Sequence, residues 1–425
     1  MMKKLSGLIG VIIIICILFS ETTVFAGNEA DDKITIRILH YYGDTDTDAS
    51  ARFLKEILKN DFPKAFPNVE LVQEVYDNQT YKSKIRVLMA SDELPDIMFG
   101  YGAGFSEPFV KAGKLLALDD YLEDSYFDHM NMEMQENFIF DKHLYGICFT
   151  YWTGVLYCNK ELFDQAGVKI PDTYEELIEV SRRFRKAGIE PVACGMLNKW
   201  HGQQWINNFT IQLGGASLYN DMAKGKQSLD NHILAQAAQL TSDLVSADVF
   251  CSNMYQLASS EAEEMFLNGD AAMIYIGSWY TSAAEERLGD KLEVAKMPAV
   301  PGARESGDYH GGAINGWMVS SETKYPETAA NIAAWLGYEL SCCQPQNATF
   351  NLDKGDERAE ISAADQKILD LYSDKTKGGV AWDTLMWPDK AEIWLNTCSQ
   401  LFEGKLNGQE FAKFLGSHID QEGYH

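Results

Sequence analysis

The triplet Gly277-Ser278-Trp279 is the most suggestive chemical feature of this chain. It follows Ala271 to Ile276, a short apolar run without a charge, which the Gly269-Asp270 turn bounds on its other side. Such a run reads as a strand buried on both faces. In open α/β sheets ligands collect beyond the carboxyl ends of the strands. There Gly277 is expected to turn the backbone sharply, Ser278 to cap a new helix, and Trp279 to present a large flat face at the rim. A lone tryptophan is more often core, but a buried strand and a Gly-Ser turn before it favour one wall of a ligand cleft. Other motifs are weaker. Asp44-x-Asp46-x-Asp48 has the alternating acids of a calcium loop, yet Ala49 stands where glycine is required and Lys55 where the bidentate glutamate belongs. It reads as a solvated loop or as ligand-binding carboxylates. Gly100-x-Gly102-x-Gly104 lacks the GxGxxG spacing of a nucleotide site. No GxSxG, HExxH or phosphate-binding loop occurs. No catalytic residue, metal or cofactor is expected.

The elements that must position these residues alternate between strand and helix. Ile34 to Ile38 reads as the first strand, and Tyr41, Tyr42 and Asp44 at its end face the same cleft. A helix over Ala49 to Lys59, a strand over Val69 to Val75, a helix over Thr80 to Ala90 and a strand over Asp96 to Phe99 follow, then a flexible Gly100 to Gly104. This alternation predicts a parallel sheet covered by helices. Leu144 to Asn159 is long and β-rich and reads as one or two strands crossing out of a first lobe. Thr173 opens a helix as Thr-Tyr-Glu-Glu, near a capping box. A helix over Glu261 to Asn268 precedes the buried strand. Leu292 to Met297 is a short β stretch, Pro298 to Gly312 a loop, Trp317 to Ser320 a strand and Pro326 to Leu340 a helix. The C-terminal part is mostly helical.

Composition bounds the rest. Lys3-Lys4, the apolar run Leu8 to Phe19 and Val24-Phe25-Ala26 form a secretion signal, 1–26, with cleavage after Ala26. Ile15 before Cys16 is bulky where a lipoprotein signal wants a small residue, so anchoring at Cys16 is not expected. The remaining chain of about 400 residues exceeds one core, and two lobes are the default. A net charge of −26 argues against nucleic acid, whose phosphates demand basic patches. Seven cysteines remain after cleavage (Cys148, Cys158, Cys194, Cys251, Cys342, Cys343, Cys398), without CxxC spacing, and read as buried small hydrophobes.

The chain resembles the bacterial extracellular solute-binding proteins of carbohydrate ABC transporters, similar to the maltose-binding proteins. The matching segments are Leu94 to Gly100 (LPDIMFG), Leu144 to Leu177, FLNGDAAMIYIGSW around Trp279, and Met297 to Leu336. The resemblance implies an α/β, two-lobed periplasmic-binding-protein-like fold with a hinge and an inter-lobe ligand cleft. The lobes would be 33–147 plus 297–343 and 148–296 plus 344–425. A monomer would capture a sugar and deliver it to the membrane permease subunits of an ABC importer. A sugar offers hydroxyls at its edge and apolar C–H faces, so its cleft needs flat rings and polar side chains. Trp279 is the family's aromatic in the second lobe. Gly100 stands where the LPDIMF strand usually ends in an aromatic, and Tyr101 or Phe105 would supply that ring. Trp200 and Trp205 fall where an aromatic binding loop is expected, and Trp382 and Trp387 near another stacking position. Trp335 and Trp394 read as core. A glycoside hydrolase is the alternative, since it too wants an aromatic cleft with acids, though no acid stands out in an apolar setting. A ligand-binding component of a membrane sensor is another. N-terminal sequencing of the exported protein is expected to begin at Gly27, and a modified Cys16 at the terminus would overturn the signal assignment.

Overall fold

The computed structural model describes residues 33–43, 47–122, 124–352 and 361–420. The leader with Cys16, and Asp44 and Asp46 of the acidic loop, lie outside the described residues. Eleven strands occur among the described residues: β1 (Ile34–His40), β2 (Val69–Val75), β3 (Ile97–Tyr101), β4 (Ile139–Phe140), β5 (His143–Leu144), β6 (Ile147–Asn159), β7 (Glu190–Ala193), β8 (Ala271–Gly277), β9 (Leu292–Ala295), β10 (Tyr309–Val319) and β11 (Gly378–Gly379). β4 and β5 form a separate hairpin. The others make one sheet in the order β2-β1-β3-β10-β6-β8-β7, with β9 beside β6 and β11 beside β10.

The expected parallel sheet is present only in part. β1 runs parallel to β2 and β3, and β7 parallel to β8. The two strands between these groups are antiparallel, and both change partners along their length. β6 pairs through Ile147–Thr150 with the end of β10, then through Gly154–Cys158 with β8. β10 pairs through Asn315–Val319 with β3, while Gly311–Ala313 pair with Thr153–Tyr151 of β6 and Tyr309–His310 with β11. A register shift at Asn315 separates the two parts, the bend that a β-bulge introduces. Two α/β lobes therefore hang on one shared pair of strands.

Local sequence explains several element ends. Asp77 caps the helix Asn78–Ala90 with a carboxylate that accepts from the Gln79 and Thr80 N–H groups. Thr173 and Glu176 complete the capping box of the helix Tyr174–Lys186. All seven residues of β8 are buried, as its unbroken apolar run requires. The supposedly flexible Gly100 to Gly104 is instead ordered: Gly100 and Tyr101 end β3, and Ala103–Phe105 is a 3-10 turn. Gly104 is needed for close approach, because a Cβ there would lie 2.4 Å from the Leu385 carbonyl oxygen. The helix Trp200–Ala223 buries Trp205 edge-on against Phe250 and Tyr275, with ring centroids 5.0 and 5.6 Å away. Trp205→Ala is expected to cost roughly 3–5 kcal/mol of stability, read as a lowered denaturant midpoint in the ligand-free protein.

Candidate functional site

A cleft of about 230 Å³, open to solvent, lies where the two groups of strands meet. One wall comes from the first lobe: Tyr41 after β1, Asp48 at the head of the helix Ala49–Asn60, the first turn of the helix Asn78–Ala90, and Tyr101 at the end of β3. The other comes from Trp200, the first turn of the helix Ser259–Leu267, Trp279 after β8, and Asp383 in the short helix Trp382–Leu385. Trp152 of β6 and Asn315 of β10 form the floor between them.

The rings fall into two groups. Tyr41 and Tyr101 are stacked, 6.2 Å apart with 16° between their planes. Trp152 meets Trp279 at 5.2 Å and 75°, and Trp200 meets Trp279 at 6.4 Å and 54°. Trp279 owes its pose to Gly277. The Gly277 φ of −75° is open to any residue, so the sharp turn expected there is not the reason for glycine. The Trp279 ring folds back over the strand end, and a Cβ on Gly277 would lie 1.9 Å from Cζ3 of that ring. Ser278 does not cap the following helix either. Its hydroxyl accepts from the Thr153 N–H at 3.1 Å and donates to the Asn347 side-chain oxygen at 3.3 Å, tying the cleft to the crossing segments.

The expected site residues are thus distributed as follows. Tyr41, Tyr101, Trp200 and Trp279 line the cleft. Tyr42 is buried beside Tyr41, 4.5 Å between centroids, and Phe105 is buried edge-on behind Tyr101 at 5.4 Å. Trp205 lies in the core; on a helix five residues turn a side chain through about 140° from Trp200. Trp382 is buried against Tyr219 and Trp394 and carries the cleft residue Asp383 beside it. Trp387 lies outside the lining, its Nε1 donating to Glu107 at 2.7 Å and the Lys111 ammonium over its ring at 4.7 Å. Asp44 is outside the described residues.

Sequence reasoning missed several lining residues. Trp152 was hidden in a continuous aromatic strand, and Lys82, Glu263 and Asp383 sit among many charges with nothing local to mark them. Lys82 donates to Asp383 at 2.9 Å across the cleft, with 15% and 6% of the two side chains exposed. Its ammonium lies 4.8 Å from the Tyr101 ring centroid. Burial alone would lower the Lys82 pKa; the Asp383 and Tyr101 charges outweigh it and the net shift is upward. A second pair, Arg52 to Glu286 at 2.7 Å, joins the helix Ala49–Asn60 to the helix Thr281–Leu288 outside the cleft lining. Burial pushes Asp48 up to about 6 although it accepts the Ser50 N–H as a helix cap. Burial likewise pushes Glu263 up to about 7, against a hydrogen bond from Thr47 and with the charges of Asp48 and Glu264 adding to the rise. An acid in an apolar setting, absent from the sequence reading, is therefore present. Among the described residues no group of His, Cys, Asp and Glu is arranged to hold a metal ion.

Two lobes on shared strands, enclosing a cleft walled by rings from both sides, define a hinged solute-binding protein. The sequence profile for bacterial extracellular solute-binding proteins matches residues 45–337, and the chain belongs to that family. It is similar to an uncharacterized ABC transporter extracellular-binding protein of Pyrococcus horikoshii, 22% identical over 80% of this chain and 75% of the relative. It is also similar to the multiple sugar-binding protein of Streptococcus mutans, 22% identical over 79% of this chain and 78% of that one. A solved chain from work on xylan utilization by Caldanaerobius polysaccharolyticus superposes with a TM-score of 0.83, 31% identity, and coverage of 91% of this chain and 100% of that one. The family places the protein outside the cytoplasm. No helix among the described residues is long and apolar enough to cross a membrane.

The Glu263 carboxyl makes a pH dependence. Its folded-state pKa of about 7 lies above the ordinary glutamate value of 4.5, so its stabilising contribution is complete below pH 4.5 and is lost as pH rises through about 7. Glu263→Gln should therefore match the wild type in ligand-free melts at about pH 4 and exceed it by up to about 3 kcal/mol at about pH 8. Equal melting differences at both pH values would contradict the assignment.

Proposed function

We propose that the protein captures a sugar or oligosaccharide between its lobes and hands it to the membrane permease subunits of an ABC importer. The observation that carries this is the disposition of rings around the cleft, Tyr41 and Tyr101 on one wall, Trp200 and Trp279 on the other and Trp152 on the floor, with carboxylates and amides among them. Flat faces take the C–H surfaces of pyranose rings, and the polar edge takes their hydroxyls. The multiple sugar-binding relative and the similarity to a chain studied in xylan utilization support the same reading. The lobes we assign are 33–147 plus 297–343 and 148–296 plus 344–425, save that 297–314 stay with the second. Hinges near 146–154 and 344–349 fit the strand crossings, and the Thr349 hydroxyl donates to the Cys148 carbonyl at 2.6 Å where the last crossing meets β6. The remaining crossing lies within β10 near Asn315 and not at the expected 294–297, since the Ala299 and Arg304 backbones still bond Asp172 and Gln212. The exported form is taken to start after Ala26 and to act as a monomer without a cofactor.

One observation favours a second reading. Asp48 and Glu263 are cleft acids with raised pKa values, the equipment of a glycoside hydrolase. The family, one of solute-binding proteins, favours capture over turnover. A thermal-shift screen over a glycan panel, followed by calorimetry and product analysis, tests both. A ligand at a hundred times its Kd stabilises by about 2.7 kcal/mol. Trp279→Ala should weaken the best ligand about thirtyfold, an anchor of about 2 kcal/mol, and change the ligand-free melt little because the ring is only half-buried. Unchanged affinity would remove Trp279 from the site, and hydrolysis products would replace capture with catalysis.

A further inference from the structure

We infer that Asp383 is a specificity-determining residue: by occupying Lys82 it leaves the cleft without a cation to offer, so uncharged, hydroxyl-rich ligands are accepted and anionic sugars are refused. This rests on the sugar-capture reading above and narrows it to a ligand class. Among the described residues that line the cleft, Lys82 is the single cation, set against Asp48, Asp77, Glu263 and Asp383. Asp77 is engaged as a helix cap. Lys82 is engaged by Asp383 at 2.9 Å and by the Tyr101 face.

The partner carboxylate has little freedom to let go. Asp383 sits in a buried helical turn, with Trp382 clamped between Tyr219 and Trp394 on one side. On the other, the Thr384 hydroxyl donates to the Ala381 carbonyl at 2.8 Å. The Asp383 N–H donates to Gln203 at 3.3 Å. An anionic ligand entering this cleft has two options. It can take Lys82 away, leaving a carboxylate that is 6% exposed without its counter-ion, which is the costly way to break a buried pair. Or it can lie unpaired beside Glu263 and Asp48, where the same burial that opposes negative charge on those carboxyls opposes it on the ligand. Sugar hydroxyls meet neither obstacle, since they donate to the carboxylates and accept from Lys82 without displacing Asp383.

The test is calorimetry on the full protein with matched disaccharides in three forms: the neutral sugar, the same sugar with its terminal hexose replaced by the hexuronate, and the hexuronamide, which keeps the shape of the uronate without its charge. The wild type should bind the neutral sugar and the amide within about threefold of each other and the uronate at least about a hundredfold more weakly than the amide. Asp383→Asn frees the ammonium and should narrow that uronate-to-amide ratio at least about tenfold. Adding Lys82→Met to Asp383→Asn should restore the rejection. Because the readout is a ratio within each protein, a general loss of affinity in a variant does not mimic the effect, and the wild-type ratio is decisive even where a variant fails to fold. A uronate bound as well as the amide by the wild type would overturn the inference and leave sugar capture standing. So would an unchanged ratio in a folded Asp383→Asn protein. Failure of every sugar to bind would overturn the proposed function and this inference together.

Discussion

The structure depends on a partner exchange within two neighbouring strands. β6 and β10 are hydrogen-bonded to each other, yet each gives one part of its length to the first lobe and the rest to the second. Backbone hydrogen bonds in a buried sheet must be made somewhere, so neither lobe can detach its part without leaving donors and acceptors unsatisfied. Movement between the lobes has to occur as twist and bend within the strands. The bulge at Asn315 and the tie from Ser278 to Thr153 both fall there, and Trp152 is carried on the same short stretch. The floor of the cleft and the bending strands are thereby the same short segment.

Those walls are held by charges that differ in exposure. The Arg52–Glu286 pair, outside the cleft lining, has a Glu286 side chain 73% exposed, whereas Lys82–Asp383 is almost wholly enclosed. Exposed pairs are screened and contribute little, about 0–1 kcal/mol. An enclosed pair offsets its own desolvation at best, but separating it is costly. The inner pair therefore sets what the cleft tolerates in composition, and the outer one adds little beyond orientation. The overall charge of −26 acts in the same direction at longer range, and salt screens it within about 10 Å.

Much of the fold was legible because its signals are local. β8 announced itself as an unbroken apolar run between turns, and Thr173 with Glu176 announced a helix start through contacts three residues apart. Tyr41 and Trp279 were reached through their positions at the ends of strands, Tyr101 and Trp200 through the family resemblance. What escaped depends on partners far away in the chain. Lys82 and Asp383 are 301 positions apart, and nothing near either shows that they meet. Trp152 lies in an aromatic strand where alternation cannot say which ring faces the cleft. Gly100 and Gly104 looked like part of a flexible segment; the reason for glycine is a neighbouring side chain or backbone that arrives only in the folded protein. Trp205 was a candidate by sequence position alone, and the pitch of its helix carries it into the core.

The cysteines have a consequence of another kind. Cys148, Cys158, Cys194, Cys251 and Cys398 are buried thiols. Burial pushes Cys148 up to about 12 and raises the other four as well. Only the thiolate reacts at a useful rate, so these sulfurs are silent towards oxidants and alkylating agents while the chain is folded. Each becomes reactive only when its surroundings open. The rate at which a thiol reagent consumes them is then a clock for opening events, with separate hands in β6 and in the C-terminal helices. Outside the cytoplasm, such thiols are protected by how seldom the chain unfolds.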